Sequence, residues 1–219
     1  MENDVKQLLF RNENGDIKEA FSHIEGVSFK EHPLELFILL ARYKFAARLL
    51  EKEASVLDAG CGLGLGSVFL SKFCKKVTAV DFDKDMILKN KSQYADVTNL
   101  SFDFIDLTQT PKPEQTYDTV ISLDVIEHFP KEKIGLVVEN LSKLTRSNGF
   151  AIIGTPNVAS KPYASSRRLE THHHEFEPNE LKSLLKNNFK NVFLFSMTDE
   201  VVSLSFPQMA WYLMALCVK

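Results

Sequence analysis

Two short stretches hold side chains whose types and spacing could do chemistry. In residues 56–70, VLDAGCGLGLGSVFL, Gly60, Gly62, Gly64 and Gly66 follow an apolar run that contains an acid, Asp58. A turn this bare of side chains lets a ligand lie against the backbone. Asp58 bears on which ligand, because a carboxylate there repels a pyrophosphate and favours a cation, directly or through bridging water. The spacing agrees. A dinucleotide turn needs glycines at i, i+2 and i+5, and that pattern fails from every start, since position 65 is Leu, 67 is Ser and 69 is Phe.

The second stretch is residues 122–129, SLDVIEHF, where Asp124, Glu127 and His128 end an apolar run. If a helix begins there, Asp124 shares a face with Glu127 or His128. Neutral imidazole can take a hydroxyl proton near pH 7. Carboxylates and imidazoles together can instead hold a divalent cation. Downstream come GTPN at residues 154–157, a loop with Lys161, Arg167 and Arg168, and then THHHEFEPNEL with His172, His173 and His174. The three basic residues suit either an anionic substrate or a solvated loop. For His172 and His173, exposure on that loop is the simpler expectation.

These residues need elements to position them. PLELFILLARYKFAARLLEK, from Pro33, reads as a helix, with apolar residues three and four apart. Its Phe37, Arg42, Tyr43 and Phe45 could serve a lid or a substrate wall, or simply the core. From residue 54 the texture alternates. SVLDAG, KVTAVD, LSFDFID, YDTVISLD and GFAIIGT read as strands, with helices in GSVFLSKF, KDMILKNKSQY and KEKIGLVVENLSKLT. An irregular stretch over 156–174 precedes a helix in EPNELKSLLKNNF and strands in NVFLFSM and AWYLMALCV. Strand–helix alternation at this length predicts an α/β fold of crossover units on a mainly parallel sheet. Ligands in such sheets bind beyond the carboxyl ends of the strands, where the quoted acids fall. We expect one domain over 1–219: a helical cap or lid at 1–53, a ligand-binding core at 54–157, and a substrate-side loop, helix and last strands at 158–219.

The chain has 219 residues and a net charge of −3, which argues against a general nucleic-acid binder. Its first residues lack the basic and long apolar regions of a signal peptide. Three cysteines, Cys61, Cys74 and Cys217, have no metal-like spacing and suit a reducing, cytoplasmic setting. The apolar run MAWYLMALCV is about half of a membrane span, so a core strand is expected there.

VLDAGCGLG followed by VTAVDFDKDMI resembles the class I S-adenosylmethionine-dependent methyltransferases, over roughly residues 33–219. The resemblance implies a Rossmann-like, seven-stranded, mostly parallel sheet with helices on both faces and an antiparallel last strand. It implies S-adenosylmethionine as cofactor, its methionine part lying along Gly60, Gly62 and Gly64 beside Asp58 and Cys61. Asp81 would accept from the ribose hydroxyls and Asp106 from the adenine amino group. Leu107, Phe82 or Met86 would flank the ring, and Leu123 would line the site.

Within that family two groups look similar. DVIEHF, GTPN and HHHEFEPNEL resemble bacterial small-molecule and glycan O-methyltransferases, including the ubiquinone-pathway type. That likeness implies O-methylation of a small, hydroxyl-bearing substrate, anionic or sugar-linked, with His128 or one of His172, His173 and His174 as general base beside Glu127. The same segments resemble the metal-assisted small-RNA 3′-terminal methyltransferases. That second likeness maps a site for Mg²⁺, Mn²⁺ or Zn²⁺ onto Asp124, Glu127, His128 and His174. Asp124 is shorter than the usual glutamate, and Pro178 replaces a usual tryptophan.

Overall fold

The computed structural model describes residues 33–112 and 116–219. The chain divides into two compact units, 1–37 and 38–219, and the second carries the sheet. Of the cap expected at 1–53, residues 1–32 lie outside the described residues.

The described elements run α1 (Pro33–Ala47), β1 (Ser55–Ala59), α2 (Leu65–Leu70), β2 (Lys76–Asp81), α3 (Lys84–Gln93), β3 (Leu100–Phe104), β4 (Tyr117–Leu123), α4 (Lys131–Leu144) and β5 (Thr145–Pro156). They continue through α5 (Ser166–Thr171), α6 (Pro178–Lys186), β6 (Asn191–Thr198), β7 (Val201–Ser203) and β8 (Tyr212–Val218). The sheet order is β3-β2-β1-β4-β5-β8-β6-β7. The first five strands in that order are parallel, while β8 is antiparallel to both β5 and β6. Strand order reverses between β1 and β4, so the loops leaving these two strands flank the crevice where such sheets bind ligands.

Alternation along the strands splits the core between two faces. Leu57, Val120, Ala151, Ile153, Leu213 and Ala215 pack on one face with Ile134, Val137, Val138 and Leu141 of α4 and Leu181 and Leu185 of α6. Their neighbours Val56, Ile121, Ile152, Tyr212 and Met214 pack on the other with Ala41, Tyr43 and Ala46 of α1 and Leu70 of α2. The α4 residues recur at helical spacing, and proline opens α6 at a position that needs no amide. β8 is buried nearly throughout because it lies between β5 and β6, which explains its unbroken apolar run. Among the described residues no helix is long and apolar enough to cross a membrane.

The structure adds elements to those expected. An eighth strand, β7, forms a three-residue hairpin arm against β6. The stretch 156–174 is ordered by two local caps. Asn157 Oδ1 accepts from the Ala159 amide at 3.1 Å and starts a 3₁₀ turn, and Ser165 Oγ accepts from the Arg168 amide at 3.3 Å and starts α5.

Gly66, inside α2, leaves room for α1. A Cβ there would lie 2.0 Å from the Tyr43 ring, and the ring is buried on all sides. Gly66→Ala is therefore expected to lower stability by about 1–3 kcal/mol through overpacking, although alanine favours helix. Chemical denaturation of the two proteins checks this, and a more stable variant would contradict it.

Candidate active site

Between β1 and α2 the chain turns through Gly60, Gly62 and Gly64, at φ of +88°, +52° and +84°. A Cβ on Gly60 would strike Val125 Cγ2 at 2.2 Å, so the turn abuts the segment that carries Asp124 and Glu127. A Cβ on Gly62 would meet nothing within 4 Å and would project into open space. The turn hangs from β2: the Gly60 and Cys61 amides donate to Val80 O at 2.8 and 3.0 Å. The Gly62 amide donates to Asp81 Oδ2 at 3.0 Å, and Asn90 Nδ2 holds Gly62 O at 2.7 Å.

Asp81 spends one lone pair on Gly62 and another on the Asp83 amide at 3.1 Å. A carboxylate offers about four such sites, which leaves two for the hydroxyls of a diol. Phe82 follows, 78% exposed, and Met86 is half-buried in the first turn of α3. The Ile105 amide bonds to Asp81 O at 3.0 Å and so brings Asp106 to the same edge. Hydrogen bonds from the Thr108 hydroxyl and amide hold the Asp106 carboxyl below its ordinary pKa. Leu107 and Leu123, expected beside the ligand, are buried in opposite halves of the core. Cys61 is buried, and burial pushes its thiol pKa upward.

Asp58 lies beneath the turn, fully buried. The Ser67 hydroxyl donates to Oδ2 at 2.6 Å, and the Tyr43 hydroxyl lies 3.4 Å from both oxygens. Burial raises its pKa to about 7, against the lowering effect of the two hydroxyls. The structure thus places Asp58 as a strut joining β1, α1 and α2.

Beyond β4 no helix begins at Asp124. That residue has φ +56°, its amide donating to Gly154 O and the Tyr212 hydroxyl, and only a single 3₁₀ turn follows at Ile126–His128. The Asp124 carboxylate therefore swings away to pair with Arg42, whose guanidinium stacks 3.8 Å over the Tyr212 ring. Glu127 is fully buried. Its Oε2 accepts from Thr155 Oγ1 at 3.0 Å, while Oε1 has no partner among the described residues. Burial, and then the charge of Asp124, raises the Glu127 pKa to about 8, so it is mostly a neutral acid at pH 7.

The histidines fall differently from the expected set. The groups that come together are Glu127, His128 and His172, with ligand atoms within 4.8 Å of one another. His174 turns aside to Glu180 Oε1 at 2.8 Å and packs edge-on against Phe176. The His173 and His174 amides instead pin the Glu127 carbonyl, at 2.8 and 3.2 Å. His128 Nδ1 is 2.9 Å from Thr171 O. A carbonyl only accepts, so Nδ1 carries the proton and Nε2 keeps its lone pair. His172 Nδ1 bonds to Glu175 Oε1 at 2.9 Å, and Arg168 Nε donates to the same oxygen at 2.7 Å. Burial would raise the Glu175 pKa, but these two partners hold it low, and burial keeps the His172 pKa below its ordinary value. Arg168 is thus committed to Glu175 and to Ser160 Oγ at 2.8 Å.

Ser67, Thr155, Thr171 and Glu175 join the site from within the quoted motifs, where no role was read for them, and Tyr212 joins from the last strand. Arg42 and Tyr43, read from the sequence as candidates for a lid, a substrate wall or the core, bind Asp124 and Asp58 respectively.

A family profile described as "Methyltransferase domain" matches residues 56–149. A "Probable S-adenosylmethionine-dependent methyltransferase" of Mycobacterium tuberculosis is 30% identical over 163 residues, 74% of this chain and 55% of the relative. A "Ubiquinone biosynthesis O-methyltransferase" of Rickettsia akari is 30% identical over 140 residues, 64% of this chain and 55% of that one. The chain thus spans about half the length of the curated relatives it matches. In fold it is similar to the methyltransferase domain of bacterial CtHen1-C, with TM-score 0.68, 20% identity, and coverage of 83% of this chain and 98% of that one.

The state of Asp58 gives a prediction. Its folded pKa is raised from 3.8 to about 7, so the folded chain holds a proton that the unfolded chain releases between those values. Stability from this group is complete below about pH 4 and is lost as pH rises towards 7 and beyond. Asp58→Asn should flatten the fall in melting temperature between pH 5 and pH 8. An equally steep fall in the variant would show that another group is responsible.

Proposed function

The chain belongs to the class I S-adenosylmethionine-dependent methyltransferase family, and from that premise we propose that it methylates a hydroxyl oxygen on a small molecule or sugar-linked acceptor. One observation carries the reading. The glycine turn and the Glu127–His128–His172 group adjoin through Val125, so a donor lying on the turn meets an acceptor among bases. Relatives named for O-methylation support an oxygen acceptor.

The residues fit the donor. Gly62 leaves open space on the turn, and Asp81 keeps lone pairs for a ribose diol. Phe82 and Asp106 offer an apolar face and an acceptor for an adenine. S-adenosylmethionine supplies a methyl group on a sulfonium, a leaving group that departs as a neutral thioether. The protein then has to align the acceptor and remove its proton. His128 Nε2 takes that proton, its ring fixed through Nδ1 on Thr171 O, and His172 stands edge-on with ring centroids 4.7 Å away. Mostly protonated at neutral pH, Glu127 serves as a hydrogen-bond donor.

A divalent cation is the second reading, favoured by the unpartnered Glu127 Oε1 beside two imidazoles whose Nδ1 atoms are already anchored. Glu127, His128 and His172 would hold it. Its chemistry there would be to lower the pKa of the acceptor hydroxyl. One carboxylate and two imidazoles suit Zn²⁺ or Mn²⁺ better than Mg²⁺.

Two predictions test these readings. Gly62→Ala adds a methyl group that meets no protein atom, at a backbone angle costing about 1–2 kcal/mol. The variant should fold yet bind S-adenosylhomocysteine at least ~10-fold more weakly in calorimetry, since the methyl group enters the donor's space. Unchanged affinity would reject the turn as the donor site. His128→Ala should keep that affinity and lose about 10²–10⁴-fold in kcat with a hydroxylated acceptor, scored by mass spectrometry of the product. The same assay after dialysis against EDTA separates the readings: full turnover leaves His128 as the base, and loss restored by Zn²⁺ or Mn²⁺ supports the cation.

A further inference from the structure

The segment joining β7 to β8, with its flanks, is an apolar surface on the outside of the described fold. Residues 201–211, VVSLSFPQMAW, contain no ionisable side chain. Val201, Leu204, Phe206, Met209 and Trp211 in it are each more than half exposed. The backbone beneath is held firmly. Asn157 Nδ2 donates to Pro207 O at 2.8 Å and to Ala210 O at 2.9 Å, Ser160 Oγ donates to Trp211 O at 3.0 Å, and the Trp211 amide donates to Met197 O at 3.1 Å. Ser160 Oγ also accepts from Arg168 of α5. The 3₁₀ turn bearing Tyr163 and the helix bearing Leu169 therefore flank the same segment, and both side chains are more than half exposed.

Seven large apolar side chains at these exposures amount to on the order of 800 Å², given 150–250 Å² for a whole aromatic side chain. The largest patch on an ordinary monomer is about 300–600 Å², and a stable complex hides about 800 Å² on each partner. The surface thus has the area of one half of an interface.

We propose that a second copy of this chain covers it, in a two-fold dimer. The charges at its margins choose the occupant. Asp199 and Glu200 stand at the turn between β6 and β7, where the segment begins, and Lys161 and Arg167 on the 3₁₀ turn and on α5 that flank it. None of the four has an ion-pair partner among the described residues. A two-fold axis through the uncharged segment sets the acidic margin of one copy against the basic margin of the other, so the surface complements itself. An anionic lipid surface would meet as many carboxylates as cations there and gain no net attraction. β7 adds a short outer edge, unpaired among the described residues, within the covered face. This assembly does not depend on the methyl-transfer reading.

Sedimentation equilibrium of the full chain at about 1–100 µM tests it. The expected mass is twice the 24.9 kDa of one chain. Phe206→Glu, which alters an exposed side chain, should give a monomer with an unchanged melting temperature. Asp199→Lys with Glu200→Lys should weaken the dimer at least ~10-fold, and adding Lys161→Glu with Arg167→Glu should restore it. A wild-type monomer at 100 µM overturns the proposal, as does a dimer indifferent to Phe206→Glu. A monomer that cosediments with phosphatidylglycerol vesicles would assign the face to lipid and overturn it equally.

Discussion

The site depends on one buried carboxylate. Asp58 has no exposure to solvent and, among the described residues, no ion-pair partner, so its burial is tolerable only with hydroxyl partners and a raised pKa. Those partners come from α2, through Ser67, and from α1, through Tyr43. The Tyr43 ring in turn fills the space left by Gly66. The start of α2 is thereby fixed relative to β1, and the glycine turn between them has little freedom. Its amides then reach Val80 O and Asp81 without adjustment. From the sequence alone, Asp58 is expected to face a cationic ligand. Buried beneath the turn, it shapes the surface on which a ligand rests.

The acids around the crevice differ in their partners. Asp81 is held by two backbone amides. Asp124 is balanced by Arg42, and the fully buried Glu127 holds its proton to about pH 8. On the proposed reading, a cationic donor would lie beside Asp81 on the turn, near an Asp124 already paired with Arg42. On that reading the neutral thioether left by transfer would lack the donor's positive charge, which would help it to leave.

Much of the fold was legible because alternation and glycine placement are local signals. Asp81 ends β2 and Asp106 follows β3 by two residues, strands that hydrophobic runs define in the sequence. The acid–histidine group was harder to read, because it depends on backbone angles and long-range contacts. Helical spacing from Asp124 would have kept Asp124 and Glu127 on one face, but the left-handed conformation at Asp124 parts them. The run of three histidines offers three imidazoles in sequence. Which one enters depends on Glu127 O binding the two following amides and on Glu175 turning His172 inward. Leu107, expected beside the ligand, lies in the half of the core that holds the α4 residues, since a residue after a strand can face the crevice or the core.

The antiparallel strand explains why the site is closed on its third side. Parallel strands present only their carboxyl ends to the crevice, so β1, β2 and β4 contribute the residues that follow them. β8 runs the other way, and its first residue, Tyr212, arrives at that same edge. There its hydroxyl receives the Asp124 amide and its ring carries Arg42. Gly154 is needed for this approach, since a Cβ would lie 2.6 Å from the Tyr212 hydroxyl. A side chain at position 154 would push Tyr212 out, release Arg42 from its platform, and leave Asp124 and Glu127 as two carboxyl groups with no cation between them. Inserting one reversed strand between β5 and β6 is therefore what brings Tyr212, and with it the Arg42 platform, to Asp124 at this edge.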